Sequence, residues 1–202
     1  MRWFAAAALA ALAAGCGSTR IYLDRDVTTA VVLWPLNDSN ERDASSKMWK
    51  YVEYEVAARG YALVPREVVE KFYQDKKFTG DPGQIKEYDT KELAKIFNAD
   101  AVVWSNVAEW NRKTLVIYTS INVKVEAELR DRDDNVLWTG KGEHGASTSA
   151  LSGKKGLRDT AGALATDIEN YAPQAAANCF GSLPWAGWNP EAKRTEAPPP
   201  AK

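Results

Sequence analysis

Leu115-Val116-Ile117-Tyr118-Thr119-Ser120-Ile121-Asn122-Val123-Lys124-Val125-Glu126-Ala127-Glu128-Leu129 reads as one long strand. From Ile117 the odd positions are Ile117, Thr119, Ile121, Val123, Val125, Ala127 and Leu129. From Ser120 the even positions are Ser120, Asn122, Lys124, Glu126 and Glu128. Apolar and polar side chains alternate with a period of two, which sends one row to a buried face and the other to water. A helix would scatter the same residues around its axis. A one-residue slip would turn the whole apolar row into solvent, so the register is firmly set. The neighbouring segments must complete a sheet and cover its apolar face.

Working outward, Arg130–Asn135 is a charged turn and Val136–Lys141 a returning strand. On the other side, Ala101–Trp110 is a strand, and Asn111-Arg112-Lys113 turns into the long one. Such short connections predict an antiparallel meander. Upstream, Thr28–Leu36 holds a continuous apolar run, Ala30–Trp34, closed by Pro35. That pattern predicts a strand covered on both faces, as in a parallel or mixed sheet. A helix over 43–59 carries a stripe of Ala44, Met48, Tyr51, Val52 and Val56, with Gly60 placed as a left-handed cap. Tyr61–Val64 is a short strand. Pro65 opens a second helix to about Gln74 with Val68, Val69 and Phe72 inward, and residues 75–88 read as a polar, mobile loop. Asp89 and Glu92 form a capping box for a third helix that turns Leu93, Ile96 and Phe97 inward. Gly140–Gly156 reads as a flexible loop, and Leu157–Ala172 as a last helix disturbed by Pro173.

The first residues, Met1-Arg2-Trp3-Phe4 and an Ala/Leu run to Ala14, have the layout of a secretory leader. They end Leu12-Ala13-Ala14-Gly15-Cys16, which resembles a bacterial lipobox, with Ala13 where Leu is usual and Leu12 one place earlier. Cys16 is therefore the expected lipidation site, and palmitate-type chains on it would supply the membrane affinity at roughly 0.8 kcal/mol per buried methylene. Gly17 and Ser18 follow, and the absence of Asp in the second position implies outer-membrane sorting. The expected organisation is a signal peptide over 1–15, a tether over 16–26, a single α/β lipoprotein domain over 27–180 and a mostly disordered Pro/Ala-rich tail over 181–202. Cys179 then has no intrachain partner.

Little in the chain points to chemistry. Lys and Arg total 26 against 27 Asp and Glu, leaving no basic excess for nucleic acid. The single histidine, His144, stands beside Glu143 and near Ser147 and Ser149. A hydrolase would need it as base to one of those serines or to Cys179, oriented by Glu143 or Asp134. No nucleophile elbow is present, and a solvated loop histidine explains it. Asp131, Asp133, Asp134 and Asn135 lack the later Gly and Glu of a calcium loop. Gly140…Gly145-Ala146 lacks the lysine of a phosphate loop. No catalytic residue, metal ligand or cofactor is expected. Of eight tryptophans, Trp104, Trp110 and Trp138 fall on strands and should pack there. Trp185 and Trp188 lie outside the periodic elements and should dock on their own domain or on a partner.

Five stretches in order carry a family resemblance: Ala30-Val31-Val32-Leu33-Trp34-Pro35-Leu36-Asn37-Asp38-Ser39, Arg59-Gly60-Tyr61-Ala62-Leu63-Val64-Pro65, Phe97-Asn98-Ala99-Asp100-Ala101-Val102-Val103, Glu109-Trp110 and Val136-Leu137-Trp138-Thr139-Gly140. Over roughly 27–143 they resemble bacterial outer-membrane lipoproteins of unknown function typified by a genome-derived meningococcal surface antigen. Asn98 stands where that family tends to have Gly. The resemblance implies a three-layer α/β sandwich with a mixed sheet, similar to the TolB N-terminal domain and to auxiliary lipoproteins of ABC-type transporters, ending in antiparallel strands. It also implies a CsgG-like secretion lipoprotein as partner. The expected function is that of a non-enzymatic, lipid-anchored accessory of an outer-membrane secretion or transport assembly, its domain facing the periplasm or the cell surface. The alternative is a ligand-binding auxiliary lipoprotein of a transporter.

Overall fold

The long strand, β5, spans Tyr118–Asp131 in the computed structural model, which describes residues 21–78, 82–115, 118–149 and 167–187. Thr119, Ile121, Val123, Val125, Ala127, Leu129 and Asp131 are all buried, and the residues between them from Ser120 to Arg130 are half-buried. The alternation thus fixes the register as the side-chain period demands.

The sheet contains β1 (Thr29–Val32), β2 (Leu36–Asn37), β3 (Ala62–Leu63), β4 (Ala101–Leu115), β5 and β6 (Val136–Ser149), in the order β3-β1-β4-β5-β6 with β2 paired to β4. Pairing is parallel at β3–β1, β1–β4 and β2–β4, and antiparallel at β4–β5 and β5–β6. The helices are α1 (Ala44–Ala58), α2 (Arg66–Asp75), α3 (Thr90–Phe97) and α4 (Ala172–Phe180). The chain steps from β1 out to β3 through α1 and back across β1 to β4 through α2 and α3. Right-handed crossovers put α1 on one face and α2 and α3 on the other. With α4 beside α1, the domain is the expected three-layer α/β sandwich on a mixed sheet. Ala30, Val31, Val32 and Leu33 are buried, as a strand with helices on both sides requires.

Local sequence sets the helix ends. Gly60 closes α1 at φ +87, a left-handed conformation that costs glycine little. Asp89 caps α3 by accepting from the Glu92 amide at 2.7 Å. Asn98 ends α3 in the left-handed region, φ 48 and ψ 43, where glycine and asparagine are both at home. That position thus asks for one backbone shape, which Asn98 supplies.

Several sequence expectations need correction. The connection between β4 and β5 is not at Asn111–Lys113. β4 runs on to Leu115, with Asn111, Arg112 and Lys113 paired to Asn122, Ile121 and Ser120 of β5, which is itself paired to β6 as far as Tyr118. Val69, Leu93 and Phe97 are buried as expected, but Val68 is 48% exposed and Ile96 44% exposed, and Tyr73 and Ala94 are buried in their place. Ring contacts set these helix rotations: Phe72 lies 5.2 Å from Phe97 and 5.4 Å from Tyr88, and Tyr73 lies 5.7 Å from Trp34. Residues 75–88 include a 3-10 turn, Pro82–Glu87, pinned by fully buried Ile85.

Gly140–Ser149 is not a loose loop but the second part of β6. Its glycines serve close approach. A Cβ on Gly142 would lie 2.2 Å from the Ala175 carbonyl oxygen and 2.2 Å from the Cys179 nitrogen. One on Gly140 would lie 2.5 Å from the Cys179 carbonyl oxygen. Glycine in a strand here lets α4 seat its small residues Ala172, Ala175 and Ala176 against the backbone. Residues 150–166, the larger part of the expected last helix, lie outside the described residues. From Ile168 the chain makes a 3-10 turn, and Pro173 lies in the first turn of α4, where its missing N–H is no loss.

Candidate functional site

The segments Ile21–Val27 and Trp185–Gly187 meet at one pole of the domain, the one holding the start of β4 and the end of β5. Ile21 accepts from the Trp185 amide at 2.8 Å, and Tyr22 bridges Trp185 in parallel. Gly187 donates to the Val27 carbonyl at 2.9 Å, and Ala186 to that of Arg59 at 3.0 Å. Arg59, at the end of α1, donates to the carbonyls of Phe180 at 2.8 Å and Gly181 at 3.1 Å, with Trp185 5.8 Å from its guanidinium. The Tyr61 hydroxyl donates to Pro184 at 3.1 Å, and burial pushes that phenol up to about 12. Trp185 therefore sits half-buried in a collar of its own domain, and the packed chain extends through Gly187. Trp188 and Cys16 lie outside the described residues.

The same pole contains two carboxylates that act as clasps. Asp131 accepts from the amides of Asp133 and Asn135 at 2.9 and 2.8 Å, from the Asn135 side chain, and from Arg25. Burial alone would raise its pKa, but those hydrogen bonds and the Arg25 charge outweigh it and hold the carboxyl below the usual range. Its oxygens are thereby engaged by protein donors, which accounts for the acidic turn without calcium. Asp100 accepts from Thr28 and Thr29 and pairs with Arg132 at 2.8 Å. Its pKa also ends below the ordinary value despite burial.

The residues a hydrolase would need are kept apart. His144 is on β6 opposite Val123, half-buried, with its ring 5.5 Å from that of Tyr171. It is a strand residue, not a loop residue. Period-two alternation puts Glu143 and Ser147 on the opposite face of β6 from His144. Asp134 belongs to the turn before β6 and pairs with Arg130 at 2.8 Å. Cys179 is buried against Gly140 and Gly142, and desolvation pushes its thiol up to about 12. Among the described residues, no hydrogen bond joins His144 to a serine, cysteine or carboxylate. Nor, among them, do three His, Cys, Asp or Glu side chains group as metal ligands.

Trp110 and Trp138 are buried as strand packing, and the Trp138 indole donates to Ser182 at 3.1 Å. Trp104 is half-buried, donating to Thr90 at 3.3 Å. It walls an open cleft of about 520 Å³ where α3 stops short of the bare face of β5 and β6. Leu36 and Tyr88 add apolar surface there, while the charges pair among themselves: Arg130 with Glu128 at 2.7 Å, Lys141 with Glu126 at 3.1 Å. This step in the sheet can bind but offers no activated nucleophile. Sequence reading missed it because it depends on how far the helical layer reaches.

Residues 22–178 match the GNA1162-like lipoprotein family. No curated protein is significantly similar to the chain. Among solved structures, lipoprotein GNA1162 from Neisseria meningitidis is 23% identical with a TM-score of 0.52, over 71% of this chain and 99% of that one. A PelC dodecamer from Paraburkholderia phytofirmans is 20% identical with a TM-score of 0.48, over 79% and 90%. The LpoB C-terminal domain from Salmonella enterica is 14% identical with a TM-score of 0.44, over 60% and 85%. The first of these likenesses is one of fold.

Proposed function

Because the chain belongs to the GNA1162-like lipoprotein family, we propose that it is a lipid-anchored, non-enzymatic component of the cell envelope. Cys16 carries the acyl chains in the outer membrane, and the domain assists a secretion or transport assembly by protein contact. A CsgG-like lipoprotein is the partner class that the sequence resemblance suggests. One observation carries the reading: the family match begins at residue 22, just past the cysteine of the lipobox-like stretch. No helix among the described residues is long and apolar enough to cross a membrane; acyl chains on Cys16 are the attachment in this reading. The separation of His144 from Glu143 and Ser147, together with the high pKa of the Cys179 thiol, supports a body without nucleophilic chemistry.

The test is palmitate labelling of wild type and Cys16→Ser, followed by membrane fractionation. Label and outer-membrane recovery in wild type, both lost in Cys16→Ser, are expected. Equal labelling of the two, or an unlabelled wild type free in solution, overturns the proposal. The Trp104 cleft favours a second reading, an auxiliary lipoprotein that holds a ligand for a transporter. Its openness and self-paired charges put it second.

A further inference from the structure

At the end of the sheet away from Asp131, β4 and β5 carry an exposed apolar pair. Leu115 is 67% exposed and Tyr118 37% exposed, and the two lie directly opposite each other in the ladder. Most proteins place turn-forming polar residues at such an end. Lys113 pairs with Ser120 two steps back, so it lies on the same face as Leu115 and Tyr118, also exposed. The result is a small apolar contact with a cation beside it, on the open face of the sheet.

The position of this pair relative to the tether narrows what can meet it. The collar at Ile21 and the Asp131 clasp sit at the opposite end of the strands, because Ala101 pairs with Asp131 there and Leu115 with Tyr118 here. The fourteen residues of β5 separate the two ends by roughly 45 Å. Cys16 precedes Ile21 by five residues, a reach of at most roughly 18 Å. A lipid on Cys16 therefore keeps the collar pole within roughly 18 Å of its bilayer, and the Leu115 end of β4 is the part of the sheet farthest from that attachment.

We propose that Leu115 and Tyr118, with Lys113 beside them, form the membrane-distal docking point of this domain. They seat in an apolar pocket flanked by a carboxylate on another envelope protein. The apolar pair supplies the burial and Lys113 supplies the charge complementarity. The orientation rests on the lipid-anchored reading above.

The test uses the full-length protein in its own cells, with p-benzoylphenylalanine in place of Tyr118. The comparator carries it in place of Tyr54, a tyrosine of α1 that is 70% exposed. At 118 the expected result is one discrete adduct with a different envelope protein, whose cross-linked peptide has apolar residues next to Asp or Glu. Adduct yield should fall by about tenfold in Leu115→Asp and in Lys113→Glu, a loss equivalent to about 1.4 kcal/mol of contact. Thermal unfolding establishes that both variants fold, and Lys113→Ala gives an intermediate loss. An adduct confined to lipid, an adduct with a second copy of this chain, the same adduct from position 54, no adduct, or a yield indifferent to both variants overturns the proposal. Palmitate incorporation in the same cells separates the two claims. An acylated protein without the adduct removes the docking point alone, whereas an unacylated one removes the anchor that orients it.

Discussion

Gly142 lies so close to Ala175 that a Cβ on the glycine would fall 2.2 Å from the alanine's carbonyl oxygen. The obstacle is helix backbone, which cannot rotate aside as a side chain can. Gly142→Ala should push α4 off the sheet and destabilise the domain by about 1–3 kcal/mol, as overpacking in a close-packed interior does. Thr139→Ala, an exposed change on the same strand, should stay within about 0.5 kcal/mol. Urea denaturation of the three proteins measures the difference, and equal midpoints would remove the close-approach account of β6.

Asp131 ties the N-terminal strap to the β5–β6 turn, and Asp131→Asn should cost about 1.5–3 kcal/mol at pH 7, the scale of hydrogen bonds to a charged group. The pKa of its carboxyl is lower in the folded protein than in the unfolded chain, so the ionised form favours the fold. That contribution is complete above the unfolded value, about 3.9, and is lost as pH falls through the folded one. Stability measured from pH 7 down to pH 2 should therefore drop in acid for wild type and drop less for Asp131→Asn. Parallel curves would show that the carboxylate is not linked to folding.

Cys179 is buried, and desolvation pushes its thiol up to about 12. Against an ordinary thiol near 8.5, its thiolate fraction at pH 8 is lower by a factor on the order of 10³. Iodoacetamide should label native protein far more slowly than protein in urea. Comparable rates, read by mass spectrometry on the Cys179 peptide, would mean that α4 does not protect the sulfur.

Asn98 holds φ 48 at the end of α3. Asn98→Gly should be tolerated within a few tenths of a kcal/mol, whereas Asn98→Ala should cost about 1 kcal/mol, since alanine brings a Cβ into the left-handed region that glycine enters freely and asparagine tolerates. Thermal midpoints of the two variants test the order. A reversed order would show that the asparagine side chain matters more than the backbone shape.

Most of the fold was legible because its strongest signals are local. The period of two over Thr119–Leu129, the apolar run Ala30–Leu33, the cap Asp89 with Glu92 and the stop at Gly60 each specify a shape that the tertiary structure keeps. What failed depends on partners distant in sequence. Gly140, Gly142 and Gly145 look like linker residues until α4 is placed over the first two. Val68 and Ile96 sit beside correct inward positions, and only the ring cluster around Phe72 shows which way each helix turns. His144 and Ser147 are three apart, close enough to suggest a pair in a loop, but a strand sends them to opposite faces. The Trp104 cleft has no sequence signature, because its wall is the end of a layer.

The collar also has a mechanical meaning. Any pull transmitted through the segment before Ile21 meets hydrogen bonds to Trp185 and, through Val27, to Gly187, before it can load β1. Arg59 then spreads the strain onto the last turn of α4. Load applied at Ile21 is thereby shared by residues from both terminal segments.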